Sequence, residues 1–172
     1  VAQIDLSGTT DTNTISASGS VELANVVDTG TTTATSPVEL VVTAGTGVTL
    51  GTVTLSNTLD VDFDTATGTS TLNAGSLSAG TIEVDGVGTN DVMNFGSTVV
   101  STVAGVTIGN AGTVDLDGDV TGATTVTISD VGTEIDLAAG VDITASGGNV
   151  DLNNTVAQID LSGTTDTNTI SA

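Results

Sequence analysis

Short apolar–polar–apolar strings recur along the chain, each followed within a few residues by Gly, Asn, Asp or Ser. Ile4-Asp5-Leu6, Val21-Glu22-Leu23, Val38-Glu39-Leu40, Val48-Thr49-Leu50 and Leu59-Asp60-Val61-Asp62-Phe63 represent the first half. Ile82-Glu83-Val84, Val114-Asp115-Leu116, Ile135-Asp136-Leu137 and Val150-Asp151-Leu152 represent the second. A period of two places the apolar pair on one face of a strand and the acid or hydroxyl on the other. Val, Ile and Thr favour strands because a branched Cβ packs well on a pleated surface. The pattern predicts many short strands with Ile4, Leu6, Val38, Leu40, Val114, Leu116, Ile135, Leu137, Val150 and Leu152 turned inward and the intervening acids outward. Phe63 and Phe95 are expected to fill wide parts of the core, with Met93 as another filler or a surface residue.

Glycines, with Asn and Asp, punctuate the strings and suit tight corners. No window shows helical spacing with caps, so essentially no helix is expected. Short strands between small corners build either a sandwich or barrel, or a solenoid. A sandwich core usually draws on aromatics, and this chain has only two, both Phe. A narrow core of stacked Val, Ile, Leu, Ala and Thr needs none. The predicted fold is therefore all-β, a parallel β-helix, or β-solenoid. The strings starting at residues 4, 21 and 38 are spaced by 17. Coils of roughly 17–22 residues would give about seven to nine coils in the first 155 residues, advancing roughly 34–43 Å at one strand spacing per coil.

The residues VAQIDLSGTTDTNTISA occupy both Val1–Ala17 and Val156–Ala172 without a substitution. The offset, 156 minus 1, is 155 residues. A fixed repeat length marks tandem architectures whose units stack on their neighbours. Residues 1–155 are read as one unit and residues 156–172 as the start of the next identical one. With Met93 the only methionine and no signal peptide, the sequence reads as part of a longer polymer. The strand that opens each unit is expected to sit on the coil formed by Val150-Asp151-Leu152 and Asn153-Asn154.

Charge narrows the function. Lys, Arg and His are absent and Asp plus Glu number 21. Such a surface repels nucleic-acid phosphate and anionic lipid, so neither is an expected partner. Its apolar runs are too short to insert in a membrane as helices. It attracts cations, and bound or condensed Ca²⁺, Mg²⁺ or Na⁺ is expected to relieve the repulsion, with Ca²⁺ the candidate cofactor, because the chain has no counter-charge of its own. Without His, Cys or Lys there is no Ser-His triad, thiol nucleophile, Schiff base or usual Zn²⁺ site, and no enzymatic activity is expected.

Candidate chemistry lies with the carboxylates. Asp115-Leu116-Asp117-Gly118-Asp119 resembles the opening of a Ca²⁺ loop, although Val120 and Val126 stand where an EF-hand needs Gly and Glu. Asp60, Asp62 and Asp64 alternate and would line one outer face about 6–7 Å apart. These six are the candidate metal ligands, set against a plain solvated acidic ladder. Gly88-Thr89-Asn90-Asp91-Val92 partly matches toxin-type Ca²⁺ repeats. Val26-Val27-Asp28-Thr29-Gly30-Thr31 resembles the Asp-Thr-Gly signature of aspartic proteases, but the potential partner Asp130-Val131-Gly132-Thr133 lacks the Thr or Ser after Asp, which favours a turn. Asn153 and Asn154 are expected as corner ladders, and Asn153-Asn154-Thr155 fits a glycosylation sequon.

Leu137–Leu152, LAAGVDITASGGNVDL, resembles the repeats of filamentous-haemagglutinin-like giant secreted proteins, and the Thr, Val, Asp and Gly texture is similar to bacterial surface-layer proteins. The resemblance implies export, a right-handed parallel β-helix, and structural or adhesive service on a prokaryotic cell surface. The expected function is a structural repeat of an extracellular filament, sheath or surface layer whose partner is the protein itself. Alternatives are the stalk of a giant adhesin and a Thr-rich ice-binding solenoid, as in Thr31-Thr32-Thr33-Ala34-Thr35, disfavoured because Thr does not recur as a regular ladder.

Overall fold

A computed structural model describes residues 3–6, 12–28, 39–63, 68–154, 158–161 and 166–172. Val38, Asp64, Thr155 and the segments Thr29–Thr31 and Thr31–Thr35 lie outside the described residues. No described residue is helical. The chain winds through β1 (Ile4–Asp5), β2 (Thr12–Ala17), β3 (Ser20–Val27), β4 (Glu39–Ala44), β5 (Gly47–Thr54) and β6 (Thr58–Phe63). Each later turn adds three short strands. The first set is β7 (Thr71–Ala74), β8 (Leu77–Ala79) and β9 (Thr81–Asp85), and the second is β10 (Val92–Phe95), β11 (Val99–Ser101) and β12 (Val106–Gly109). Then follow β13 (Thr113–Leu116), β14 (Val120–Gly122) and β15 (Val126–Ser129), then β16 (Glu134–Leu137), β17 (Asp142–Ala145) and β18 (Val150–Asp151). The described strands end with β19 (Gln158–Asp160) and β20 (Thr169–Ser171).

Every strand pairs in parallel with the strand one turn before or after it, as a β-solenoid requires. Three stacks result. The first face runs β7-β10-β13-β16-β19, the second β8-β11-β14-β17-β20, and the third β2-β4-β6-β9-β12-β15-β18. The long strands β3 and β5 bend and serve the first two faces together: β5 pairs with β7 through Gly47–Leu50 and with β8 through Val53–Thr54.

The corner between these faces is a column of small residues. Gly51 lies against the carbonyl of Ala24, too close for a Cβ, and a Cβ on Gly75 would stand 2.6 Å from the Gly51 oxygen. Any side chain there would push one turn away from the next. At the opposite corner Asn110 and Asp130 adopt φ of 54° and 56°, the left-handed region that Asn and Asp enter more readily than other residues with a Cβ.

Inside, apolar residues stack in columns. Val48, Leu72, Met93, Val114, Ile135 and Ile159 occupy one, so a turn there takes 21 to 24 residues. Leu50, Ala74, Phe95, Leu116 and Leu137 occupy the next, where the bulk of Phe95 sits beside the small Ala74. The expected inward set is met at every described position, Val38 lying outside them. Leu6, Leu40, Val114, Leu116, Ile135 and Leu137 are buried, and Ile4, Val150 and Leu152 pack partly buried against the core. Phe63, Met93 and Phe95 all face inward.

The spacing of 17 does not mark a coil. Ile4 pairs with Val26 on the second face, whereas Val21 pairs with Val48 at the start of the first. Each face carries the same apolar–polar–apolar string, so the strings count faces rather than turns. The repeated opening strand is also placed differently from expectation. Ile159 stacks on Ile135, one turn earlier, while Val150 stacks on Val126 on the third face. A coil pairs with what lies one turn back, not with the strand nearest in sequence.

Replacing Leu116 by Ala should destabilise the protein by about 2–5 kcal/mol, since the layers above and below hold the cavity open. Asp115→Asn, one residue away and facing outward, should cost nothing measurable. Chemical denaturation of both variants tests this, and equal losses would mean that alternation does not set the faces.

Candidate functional site: the outer carboxylate columns

Parallel in-register stacking decides which outward side chains become neighbours, about 4.8 Å apart. On the first face one outer column reads Glu22, Thr49, Asn73, Asn94, Asp115, Asp136, Asp160. It changes from amide to acid midway. Asn94 Nδ2 donates to Asn73 Oδ1 at 3.0 Å, an amide ladder of the kind stacked β-structures use. The three aspartates that follow replace the amide ladder with stacked like charges. Burial pushes the Asp115 carboxyl above the usual carboxylate range, and the neighbouring charges of Asp117 and Asp136 push it further.

The third face carries a second acidic patch. Asp60 lies beside Glu83, and Asp62 beside Asp85. Burial again raises the Asp62 carboxyl, with Asp85 adding to it. The column through Asp85 then meets Gly109, and Asn110 Nδ2 reaches Asp85 Oδ1 at 3.4 Å.

The sequence-derived candidates are thus divided between two faces. Asp60 and Asp62 share the outer side of β6; Asp64 lies outside the described residues. Asp115 is on β13, while Asp117 and Asp119 stand in the corner that follows it. Asp119 Oδ1 accepts the Asp142 N–H at 2.9 Å, and Asp142 Oδ1 accepts the Thr169 N–H at 2.8 Å. These carboxylates tie each corner to the next. Among the described residues no group of three or more acidic side chains is arranged to hold a metal ion.

Other polar residues have the same stapling role. Asp91 is only 1 % exposed. Its Oδ1 accepts Ser70 N–H at 2.8 Å and its Oδ2 accepts Val87 N–H at 2.8 Å, joining one turn to the next. Asp28, from the protease-like string, is buried and accepts both the backbone N–H and the hydroxyl of Ser56. Asp130 stands at a left-handed corner four turns further along, so this pair does not form a shared-proton dyad. Asn154 brackets a corner: Oδ1 accepts Val131 N–H at 2.8 Å, and Nδ2 donates to the Ile128 and Leu152 carbonyls. Asn168 does likewise for Gly140 and Ala138. Among the described residues every buried side-chain nitrogen and oxygen has a hydrogen-bond partner.

The second face differs from the other two. From Val27 its outer column runs Thr54, Ser78, Val100, Thr121, Thr144 and Ser171, hydroxyls and valines without a carboxylate. Thr144 and Ser171 hydroxyls lie 3.2 Å apart.

No family model, curated protein or solved structure matches the chain. The geometry alone therefore carries the functional argument. Among the described residues no helix is long and apolar enough to cross a membrane.

Two outcomes follow. Asp62 and Asp115 have raised folded-state pKa values, so the folded protein binds their protons more tightly than the unfolded chain. Their charge penalty is full above the raised pKa and is relieved as pH falls through it toward the unfolded value of 3.8. Mild acidification from pH 7 should raise the melting temperature, and D62N/D115N should melt higher at pH 7 with a flatter pH profile. A melting temperature whose pH dependence the double variant leaves unchanged would refute this. Asp91→Ala should cost about 1–3 kcal/mol for each backbone N–H left without its acceptor. Urea unfolding measures that loss, and a value near zero would remove Asp91 from the staples.

Proposed function

We propose that this chain is a structural repeat of an extracellular fibrous or surface assembly, a filament, sheath or surface layer, built by end-to-end stacking of β-coils. One observation carries the reading. The residues that open the chain recur as β19 and β20, and these strands continue the same stacks, β19 on β16 and β20 on β17. The next unit begins as another turn of the present one, not as a separate domain. Its partner is then itself.

The residue inventory supports a passive, non-catalytic role. The buried acids are committed to backbone N–H groups, and the sequence lacks the usual nucleophiles and bases. The absence of Lys and Arg removes trypsin-type cleavage sites, which suits a surface facing outside proteases. The stacked carboxylates repel along the axis, so divalent cations such as Ca²⁺ are proposed to condense on the first and third faces and stabilise the fibre.

The test is electron microscopy of the 172-residue chain and of a two-unit chain, residues 1–155 followed by 1–172, with Ca²⁺ and with chelator. Fibres that lengthen and melt higher in Ca²⁺ are expected. Monodisperse, Ca²⁺-indifferent monomers of both chains would overturn the assembly and leave the adhesin stalk as the better reading.

A further inference from the structure

The two copies of the repeated segment do not occupy the same faces. In the first copy Ile4 stacks under Val26 on the second face, and Ile15 under Val42 on the third. In the second copy Ile159 stacks on Ile135 on the first face, and Ile170 on Ile143 on the second. Both strands have shifted back by one face, so the segment keeps its internal step of one face.

The offset follows from counting turns. Ile4, Val26, Val53, Leu77, Val99, Val120 and Ile143 occupy one column, which makes six turns. Two further faces, β18 and then β19, bring the chain to Ile159, the equivalent of Ile4. One unit of 155 residues therefore spans six and two-thirds turns.

The edge of the second copy matches what covers the first. Leu6 is 8 % exposed, whereas its equivalent Leu161 is 48 % exposed; Ile159 and Ile170 are 43 % and 49 % exposed. At the first copy, β3 lies over β1, with Val26 and Val27 on Ile4 and Asp5 and the Leu6 N–H donating to the Val27 carbonyl at 2.8 Å, and β4 lies over β2, with Val42 on Ile15. The same apolar residues, repeated and uncovered, are complementary to another copy of the same strand.

We infer that the outer edges of β19 and β20 are the docking surface for the next unit, β19 for a further copy of Ser20–Val27 and β20 for a further copy of Glu39–Ala44, and that each unit is thereby rotated by one third of a turn relative to the last. The inference rests on the stacked-array reading above. Three units, spanning twenty turns, restore the starting orientation, an axial period of about 96 Å at one strand spacing per turn. The rotation also redistributes charge. The acidic column ending in Asp115, Asp136 and Asp160 continues into the column of the next unit's second face that runs from Val27 to Thr144 and carries no carboxylate. Units in phase would instead place each acidic face on the same side of the fibre.

Paired cysteines decide the phase, because the chain has none of its own. In the 172-residue chain and in the two-unit chain, Asp136→Cys with Asp160→Cys should oxidise to a disulfide, since in-register neighbours fall within the usual Cα separation of about 4.4–6.8 Å. Thr144→Cys with Asp160→Cys reports the alternative, in which the repeated strand returns to the face of Ile4, and should stay reduced. Asp115→Cys with Asp136→Cys, inside the body of the unit, reports the stack itself. Bridging of 136 with 160, at least about tenfold faster than of 144 with 160, supports the offset. Bridging of 144 with 160, or of neither while 115 with 136 forms, overturns it and leaves the solenoid standing. Failure of the 115 and 136 pair as well would overturn the stacked coil and the offset together. In fibres of the two-unit chain, an axial period of one unit in place of three would overturn the offset without touching the assembly.

Discussion

The structure depends on parallel, in-register pairing of each strand with the strand one turn away. That pairing satisfies the backbone and, in the same act, fixes the neighbours of every side chain. A residue in a column meets the residue 19 to 27 positions before it and the one a similar distance after it. Apolar columns become a continuous core without large aromatics. Small corner residues become a glycine seam, because Gly51 and Gly75 lie where a Cβ would strike the adjacent turn. Outer residues become ladders, favourable for Asn73 and Asn94 and unfavourable for Asp115 and Asp136. Like charges brought to one strand spacing repel, and the chain has no cationic side chain to relieve them.

The acids divide by position. Those in corners, Asp28, Asp91 and Asp119, accept backbone N–H groups from neighbouring turns and are part of the scaffold. Those on flat faces, Asp60, Asp62, Glu83, Asp85, Asp115 and Asp136, look outward and give the rod its charge. A carboxylate that accepts N–H bonds is satisfied within the fold, whereas one in an outer ladder also meets the like charge of its neighbour one turn away. The candidate Ca²⁺ loop at Asp115–Asp119 combines both kinds, with Asp115 in a ladder and Asp119 holding the Asp142 N–H. The two outer acidic patches therefore carry much of the outward charge, and the outer column of the second face from Val27 to Ser171 carries no carboxylate.

Stacking also governs how units join. A unit that advanced a whole number of turns would align its acidic faces along one side of a fibre. An advance of six and two-thirds turns spreads them around the axis, and the hydroxyl face of one unit follows the acidic first face of the last. The same backbone pairing that creates the repulsion inside a unit thus limits how far it extends.

The sequence by itself determined the strand content, the inward and outward assignment of nearly every string, the absence of helix among the described residues, the 155-residue offset of the repeated segment and the acidic surface. These are local properties: alternation sets faces, branched residues favour strands, and Gly, Asn and Asp mark corners. Only the tertiary structure decided which strings share a face. Three faces use one pattern, so the 17-residue spacing of the first strings counted faces rather than coils, and Ile4 and Val21 fell in different columns. It also decided the roles of individual acids. Asp91 sits within a string that resembles a Ca²⁺ motif and is instead a buried staple, because its acceptors meet Ser70 only after the chain has completed a turn. The rotation between repeated segments belongs to the same class. It depends on the sum of all corner lengths, a quantity held by the wound chain and by no stretch of it.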